Sequence, residues 1–175
     1  MIGAIADVAV DLALRGAAAA FSRLPKNEVL WAYTITAKDG RTPYMTRVIL
    51  PRVFGWRPML HRIWIADQDR DPHSHPWSTA YSIVLTGGYV EERLIGVIVG
   101  DGSLSTDQRI RTALTIERID GDDFHRISYV APRTWTLFVA GPRHPDGWGF
   151  LTVRGYVDFE TYFRERGIAY QGVRS

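Results

Sequence analysis

The chain has no cysteine among its 175 residues. This absence excludes disulfides, zinc ribbons and thiol nucleophiles, so any metal ion must be held by His, Asp or Glu side chains. Long hydrophobic runs are also missing. The apolar N-terminal segment is interrupted by Asp7, Asp11 and Arg15, lacks a preceding basic region, and never approaches the roughly 18 uncharged residues that a membrane span needs. We therefore expect a cytoplasmic protein with no membrane partner.

Runs of positive charge are absent as well. The net charge is +2, and the 21 basic residues, nearly all of them arginine, are scattered along the chain. Proteins that bind a phosphate backbone gather such residues into patches, so we do not expect a nucleic-acid partner. A length of 175 residues with 46% hydrophobic and 23% charged residues is typical of one globular domain with a substantial core.

The hydrophobic pattern changes from helical to strand-like near Glu28. Apolar residues at helical spacing predict a helix over residues 3–23, ended by Pro25. Short β-branched and aromatic runs then predict about nine strands before a final helix over residues 158–166. The predicted strands are 29–36, 44–50, 59–66, 79–86, 89–99, 109–118, 124–130, 135–140 and 148–153. Since strands do not alternate with helices, we expect an antiparallel sandwich or barrel.

Three segments of one domain follow from this pattern. Residues 1–25 form an N-terminal helix packed on the barrel, residues 26–157 form the β-barrel, and residues 158–175 form a C-terminal helix and tail. No internal repeat is present.

A histidine pair stands just before the predicted strand 79–86. His73 and His75 are two residues apart, and on an extended chain this spacing directs both imidazoles to the same side, where they can converge on one metal ion. The alternative is an ordinary polar strand face. His125, on a predicted strand about 50 residues downstream, is the candidate for a third ligand.

With these histidines in place, the sequence resembles the cupin superfamily. The family's first motif, G-x5-H-x-H-x3-4-E-x6-G, is matched by His73, His75 and Gly87, and its second motif contributes one further histidine, for which His125 is the candidate. The resemblance covers roughly residues 60–142. It implies a mainly β fold, a cupin-like double-stranded β-helix (jelly-roll) barrel with a divalent metal ion inside, here with an N-terminal helix and a short C-terminal helix.

The departures from the motif bear on function. Thr79 and Ala80 stand where the family has its glutamate ligand, so the implied ligand set is three histidines, similar to that of the cysteine dioxygenases. The catalytic His and Tyr of those enzymes align with Phe138 and Ala140, which does not favour thiol oxidation. Imidazole ligands suit several metals, and we take Fe(II) first, with Zn, Ni, Cu and Mn as alternatives.

Four further residues are candidates for the surroundings of the metal. Asp71 has the same parity as His73 and is left open as a ligand, a hydrogen-bond partner of a ligand or a solvated group. Trp77 and Tyr81 flank the pair and are expected to wall the pocket. Arg133 is a candidate for contact with an anionic substrate. No catalytic residue is assigned.

The main hypothesis is a mononuclear metal-binding cupin that acts as an Fe(II)-dependent, dioxygenase-like oxidoreductase on a small molecule. A non-catalytic cupin that binds or senses a small ligand is the competing hypothesis, so whether the chain is an enzyme is left open. A metal-dependent isomerase or epimerase is a third, weakened because Glu91 and Glu92 lie beyond the Gly87-Gly88 turn, away from the expected site. A homodimer is also left open.

Overall fold

Antiparallel β-strands make up most of the protein. The computed structural model describes residues 2–23, 30–97 and 103–168. Two helices stand near the ends of this part of the chain, α1 (Ile2–Phe21) and α2 (Phe159–Glu165). The strands are β1 (Trp31–Thr36), β2 (Pro43–Ile49), β3 (Arg57–Ile63), β4 (Thr79–Thr86), β5 (Gly88–Val97), β6 (Leu104–Thr112), β7 (Ile116–Asp120), β8 (His125–Val130), β9 (Thr134–Ala140), β10 (Gly149–Thr152) and β11 (Gly155–Asp158).

The strands form a six-stranded sheet in the order β1-β2-β3-β9-β4-β7, a three-stranded sheet in the order β6-β5-β8, and the ribbon β10-β11. All pairings between named strands are antiparallel. After β4 the chain passes to the three-stranded sheet for β5, β6 and β8, with β7 back in the large sheet. It then returns to the large sheet as β9, which lies between β3 and β4. A buried cluster joins the large sheet to the small one through Met45 and Ile63 on one side and Tyr89 and Ile127 on the other.

Helix α1 packs on the other face of the large sheet. Its Ala18 contributes to a buried cluster with Val48 and Trp135. Asp11 is buried in this interface, where its carboxylate accepts hydrogen bonds from Arg62 and from Trp135 Nε1 at 2.9 Å. One of the charges that interrupt the apolar N-terminal segment is therefore a packing contact between helix and sheet.

The turn between β4 and β5 requires glycine at its first position. Gly87 has a φ of +67°, and a Cβ there would lie 2.6 Å from Thr134 Oγ1. Thr134 Oγ1 in turn lies 3.0 Å from the Gly88 amide and accepts its hydrogen bond. The turn thus fixes where β5 begins, and β5 carries a residue that proves important at the site.

The predicted fold class is confirmed in its main features: the protein is mainly β, with an N-terminal helix and a short C-terminal helix. Two details of the strand prediction are wrong. The single strand predicted over residues 109–118 is the end of β6 and the start of β7, separated by a turn in which Leu114 has a φ of +69°. Strand β11 was not predicted. Pro25 and the predicted start of the first strand lie outside the described residues. In the described ranges, neither helix is both long and apolar enough to cross a membrane.

Candidate metal centre

His73, His75 and His125 converge on one point of the barrel. Each offers a ring nitrogen, and these atoms all lie within 4.8 Å of one another. His75 Nε2 and His125 Nε2 are 2.8 Å apart. Metal–imidazole bonds are about 2.0–2.1 Å long, so two nitrogens on one ion at a right angle are separated by about 3 Å. The spacing of these nitrogens is therefore compatible with a single ion held by the three side chains.

Backbone pairing holds two of the three histidines together. The His73 amide donates to the His125 carbonyl at 2.8 Å, and the His125 amide donates to the His73 carbonyl at 3.0 Å. His125 is the first residue of β8, whereas His73 and His75 lie in the irregular segment before β4. The sequence predicts an extended chain at His73 and His75. The structure has no named strand there, and an isolated β-bridge joins His73 to His125 of β8.

Glu91 of β5 orients His125. Its carboxylate is buried, and Oε1 lies 2.6 Å from His125 Nδ1. The same carboxylate accepts hydrogen bonds from Arg111 at 2.8 Å and from Arg93 at 3.2 Å. Burial raises the pKa of the Glu91 carboxyl, but the hydrogen bond and charge of His125, together with Arg111 and Arg93, outweigh it and hold the pKa well below its usual value. An ionised carboxylate on Nδ1 keeps the proton there and leaves Nε2 free to bind a metal.

Sequence reasoning placed Glu91 away from the site, and this was wrong. β5 runs back beside β8, so Glu91 pairs with Ile127 and its side chain lies beneath His125. A signal existed in the strand alternation, which puts Glu91 and Arg93 on the same side as the buried Tyr89. Charged residues on an inward face indicate a buried network of ion pairs, and here that network includes His125.

Asp67 lies beside His73 and was also missed. Its Oδ2 is 3.9 Å from His73 Nδ1 and accepts a hydrogen bond from the Ile127 amide at 2.7 Å. Tyr44 Oη donates to the other carboxylate oxygen. Burial and the adjacent Asp67 raise the pKa of Tyr44 well above 10, so the phenol stays protonated.

Burial keeps the histidine pair neutral. It lowers the pKa of His73 to about 4, against the opposing charge of Asp67, and lowers the pKa of His75 well below 6.5, with the neighbouring His125 and His73 contributing. Neutral imidazole is the form that ligates a metal, so the donor set fits a bound ion at pH 7.

A cavity of about 770 Å³ opens onto His73 and His75. This volume is in the range of small-molecule sites. Its lining combines the aromatic side chains of Tyr44, Trp77, Trp148, Phe150 and Phe163 with charged ones that include Lys38, Arg47, Asp67 and Asp69. The Trp77 ring stacks on His75 with centroids 5.9 Å apart, and Phe150 lies at the same distance from His73. His125, 6% exposed, lies outside this lining.

Of the four residues predicted to surround the metal, Asp71, Trp77, Tyr81 and Arg133, the structure places only Trp77 in the lining of the cavity. Trp77 lines the cavity as expected. Asp71 is directed to the C-terminal helix, where its carboxylate accepts from Tyr162 Oη at 2.9 Å and from Arg166 at 3.2 Å, and it is not part of the group that could hold a metal.

Tyr81 and Arg133 lie away from the cavity, which corrects the sequence prediction. Tyr81 alternates along β4 with the buried Ala80 and Ser82, so its side chain is on the outer face, where it packs against Trp56. Arg133 is exposed in the turn between β8 and β9, with a φ of +61°. Neither residue is among those that line the cavity.

Comparisons with known proteins give distant structural likenesses alone. No family model and no curated protein matches the sequence. KdgF from Halomonas sp. is 15% identical with a TM-score of 0.44, over 61% of this chain and 87% of KdgF. Fe(II)-HppE with an alternative substrate is 9% identical with a TM-score of 0.46, over 67% of this chain and 58% of HppE. Streptomyces Pac13, a nucleoside dehydratase, is 8% identical with a TM-score of 0.41, over 74% of this chain and 89% of Pac13.

Proposed function

We propose that His73, His75 and His125 bind one divalent metal ion, Fe(II) in the first place, and that the protein is a mononuclear cupin-type oxygenase acting on a small molecule. One observation carries the proposal: three ring nitrogens lie within 4.8 Å of one another beside a cavity large enough for a substrate. Three protein ligands leave open positions on an octahedral ion. A bound Fe(II) would supply one-electron chemistry at those positions.

The residues around the histidines support this role. Glu91 fixes the ring orientation and tautomer of His125, which in metal sites commonly contributes 10- to 100-fold in affinity. The aromatic side chains of the cavity offer apolar contact to a substrate. Trp77 and Phe150 pack directly against His75 and His73 and so limit their rotation.

Thiol dioxygenation is not part of the proposal. Phe138 and Ala140, which align with the catalytic His and Tyr of the cysteine dioxygenases, are both buried in one apolar cluster. Neither side chain can donate a hydrogen bond to a polar substrate. We expect a substrate that is held by other groups of the cavity.

A metal-dependent isomerase or epimerase is the second candidate, and one observation favours it. Tyr44 and Asp67, joined by a hydrogen bond, both line the cavity together with His73. They are a proton donor and an acceptor close to the metal ligands, which the sequence pattern had not offered. On this alternative the ion would polarise the substrate while this pair moves a proton.

Metal analysis tests the proposal directly. Protein reconstituted with Fe(II) should hold close to one ion per chain, and His73→Ala and His125→Ala should each lose it. His144→Ala is the matched control, because His144 lies in a separate turn near Asp122. Full metal content in both ligand variants would refute the site.

A second measurement separates an open site from a closed one. Iron-loaded protein with open coordination positions should bind nitric oxide and give a paramagnetic signal, whereas a closed structural site should give none. Oxygen uptake in the presence of a small-molecule panel would then distinguish the oxygenase from the isomerase.

A further inference from the structure

Arg47 of β2 lines the same cavity as His73 and His75. Its polar contacts are long ones, 3.4 Å from Nη1 to Tyr33 Oη and 3.4 Å from Nε to Met45 Sδ. Among the described residues, no carboxylate oxygen forms an ion pair with its guanidinium.

The other cations of the cavity lining are paired. Lys38 Nζ lies 2.8 Å from Asp69 Oδ1, and Arg166 lies 3.2 Å from Asp71 Oδ2. Asp67, a carboxylate of the cavity lining that lies beside His73, is occupied by Tyr44 and by the Ile127 amide. Within the described lining, Arg47 is therefore the cation left without a carboxylate.

The register of the sheet shows what surrounds Arg47. It pairs with Tyr33 on β1 and with His61 on β3, so the three side chains share one face of the sheet. His61 is 4% exposed, and its Nε2 has no hydrogen-bond partner in the described residues. Burial, with the charge of Arg47, lowers the pKa of His61 well below 6.5, so this neighbour is neutral and does not compete as a second cation.

A guanidinium carries five N–H donors in a planar fork that matches the oxygens of a carboxylate or a phosphonate. Two long contacts use only part of this capacity. In a cavity whose lining includes several aromatic side chains, a charge-assisted pair is stronger than it would be in bulk water. An anionic ligand would supply the partner that the protein does not.

We infer that the cavity takes a small organic anion, with an oxyanion head paired to Arg47 and an apolar part between Trp77, Trp148 and Phe150. This inference rests on the proposed function, since it names the class of molecule that the metal centre would act on. The anion contact that the sequence predicts at Arg133, which is exposed in the β8–β9 turn, is thereby assigned to Arg47, which lines the cavity.

Calorimetric titration with matched probes tests the inference. The probes are phenylacetate, its neutral amide phenylacetamide, and phenylphosphonate, each titrated into metal-free protein so that coordination to an ion cannot contribute. Wild type should bind one or both anions roughly 10- to 100-fold more tightly than the amide, as expected for a hydrogen-bonded charge. Comparing the two anions tells whether the site prefers a carboxylate or a phosphonate head.

Variants assign the preference to Arg47. Arg47→Met should bind the anions no better than the amide, and Arg47→Lys should keep part of the preference. Arg52→Met is the matched control, because Arg52 lies on the exposed β2–β3 loop and should leave the preference unchanged. Equal affinity of wild type for anions and amide, or a preference that survives in Arg47→Met, would overturn the inference.

Metal content measured on the same samples separates this inference from the proposed function. Arg47→Met should keep its metal after reconstitution, since Arg47 is not among the grouped histidines. Bound metal without anion preference would refute the anion site alone. Anion preference in a chain that binds no metal would refute the metal centre alone.

Discussion

Replacing Glu91 with glutamine tests how far the metal centre depends on the ion network behind it. The substitution keeps the shape of the side chain and one oxygen for His125 Nδ1 but removes the negative charge. Arg93 and Arg111 then lose a shared partner that is 1% exposed. The consequence should appear both in stability and in metal affinity.

The expected magnitude follows from the contacts that remain. Breaking a buried ion pair costs about 3–5 kcal/mol, because a charge is left without its partner. Glu117 still contacts both arginines in the variant, 3.0 Å from Arg93 and in direct contact with Arg111. We therefore take the lower end, about 3 kcal/mol, which corresponds to a loss of roughly 6–12 °C in melting temperature for a chain of this size. Metal affinity should fall about 10- to 100-fold.

The stability difference should also depend on pH. The pKa of Glu91 is held well below its usual 4.5 in the folded protein, so its contribution is fully present above that value and is lost as the pH falls towards the folded pKa. The gap between wild type and Glu91→Gln should therefore be constant from pH 7 to about pH 5 and should shrink in stronger acid.

Glu92→Gln is the control, since it makes the same change one residue along the strand. Glu92 pairs with Arg126 at 2.6 Å on the other face of β5, with a more exposed carboxylate. We expect a cost of no more than about 1 kcal/mol and unchanged metal affinity. Urea unfolding of both variants, with metal titration alongside, measures the effects. Equal results for the two variants would show that Glu91 does not support the site.

The remaining predictions concern two other buried groups, His73 and Asp71. The pKa of His73 is lowered to about 4 in the folded metal-free protein, so below pH 6.5 the unfolded chain binds a proton that the folded chain does not. His73 should therefore make the free energy of unfolding, measured in urea, about 2 kcal/mol lower at pH 5 than at pH 7. His73→Gln should remove that part of the slope, and an unchanged slope would contradict the assignment. Tyr162→Phe removes the donor to the buried Asp71 and should cost about 1–3 kcal/mol without altering metal content; an equal loss of metal would show that Asp71 supports the centre.

The sequence predicts well where strong local signals coincide. Strand β4 was predicted with its observed limits, Thr79–Thr86, because a β-rich run ends there at the Gly87-Gly88 turn signal. The three histidines were recognisable from their spacing and from their resemblance to a known motif. These features depend on residues close together in the chain or on a pattern that is already known.

What the sequence could not supply is pairing between distant strands. Glu91 meets His125 because of the β5–β8 register, which no local pattern specifies. The β6–β7 turn was missed because Leu114, a residue without turn preference, takes a left-handed conformation there. Tyr81 was assigned to the wrong face because the irregular residues 76–78 interrupt the alternation counted from His75. Arg47 carried no distinguishing signal in a chain so rich in arginine.

The double hydrogen bond between the main chains of His73 and His125 has an evolutionary consequence. Those two bonds are made by groups that nearly every amino acid possesses, so the scaffold would hold the two positions together whichever side chains they carried. Asp, Glu or Gln could replace a histidine while the geometry of the two positions persisted; only proline, which lacks an amide hydrogen, would break the pairing. The side chains at positions 73 and 125 can therefore change by single substitutions, and with them the kind of ligand that this point of the fold could hold, while the two main-chain hydrogen bonds remain.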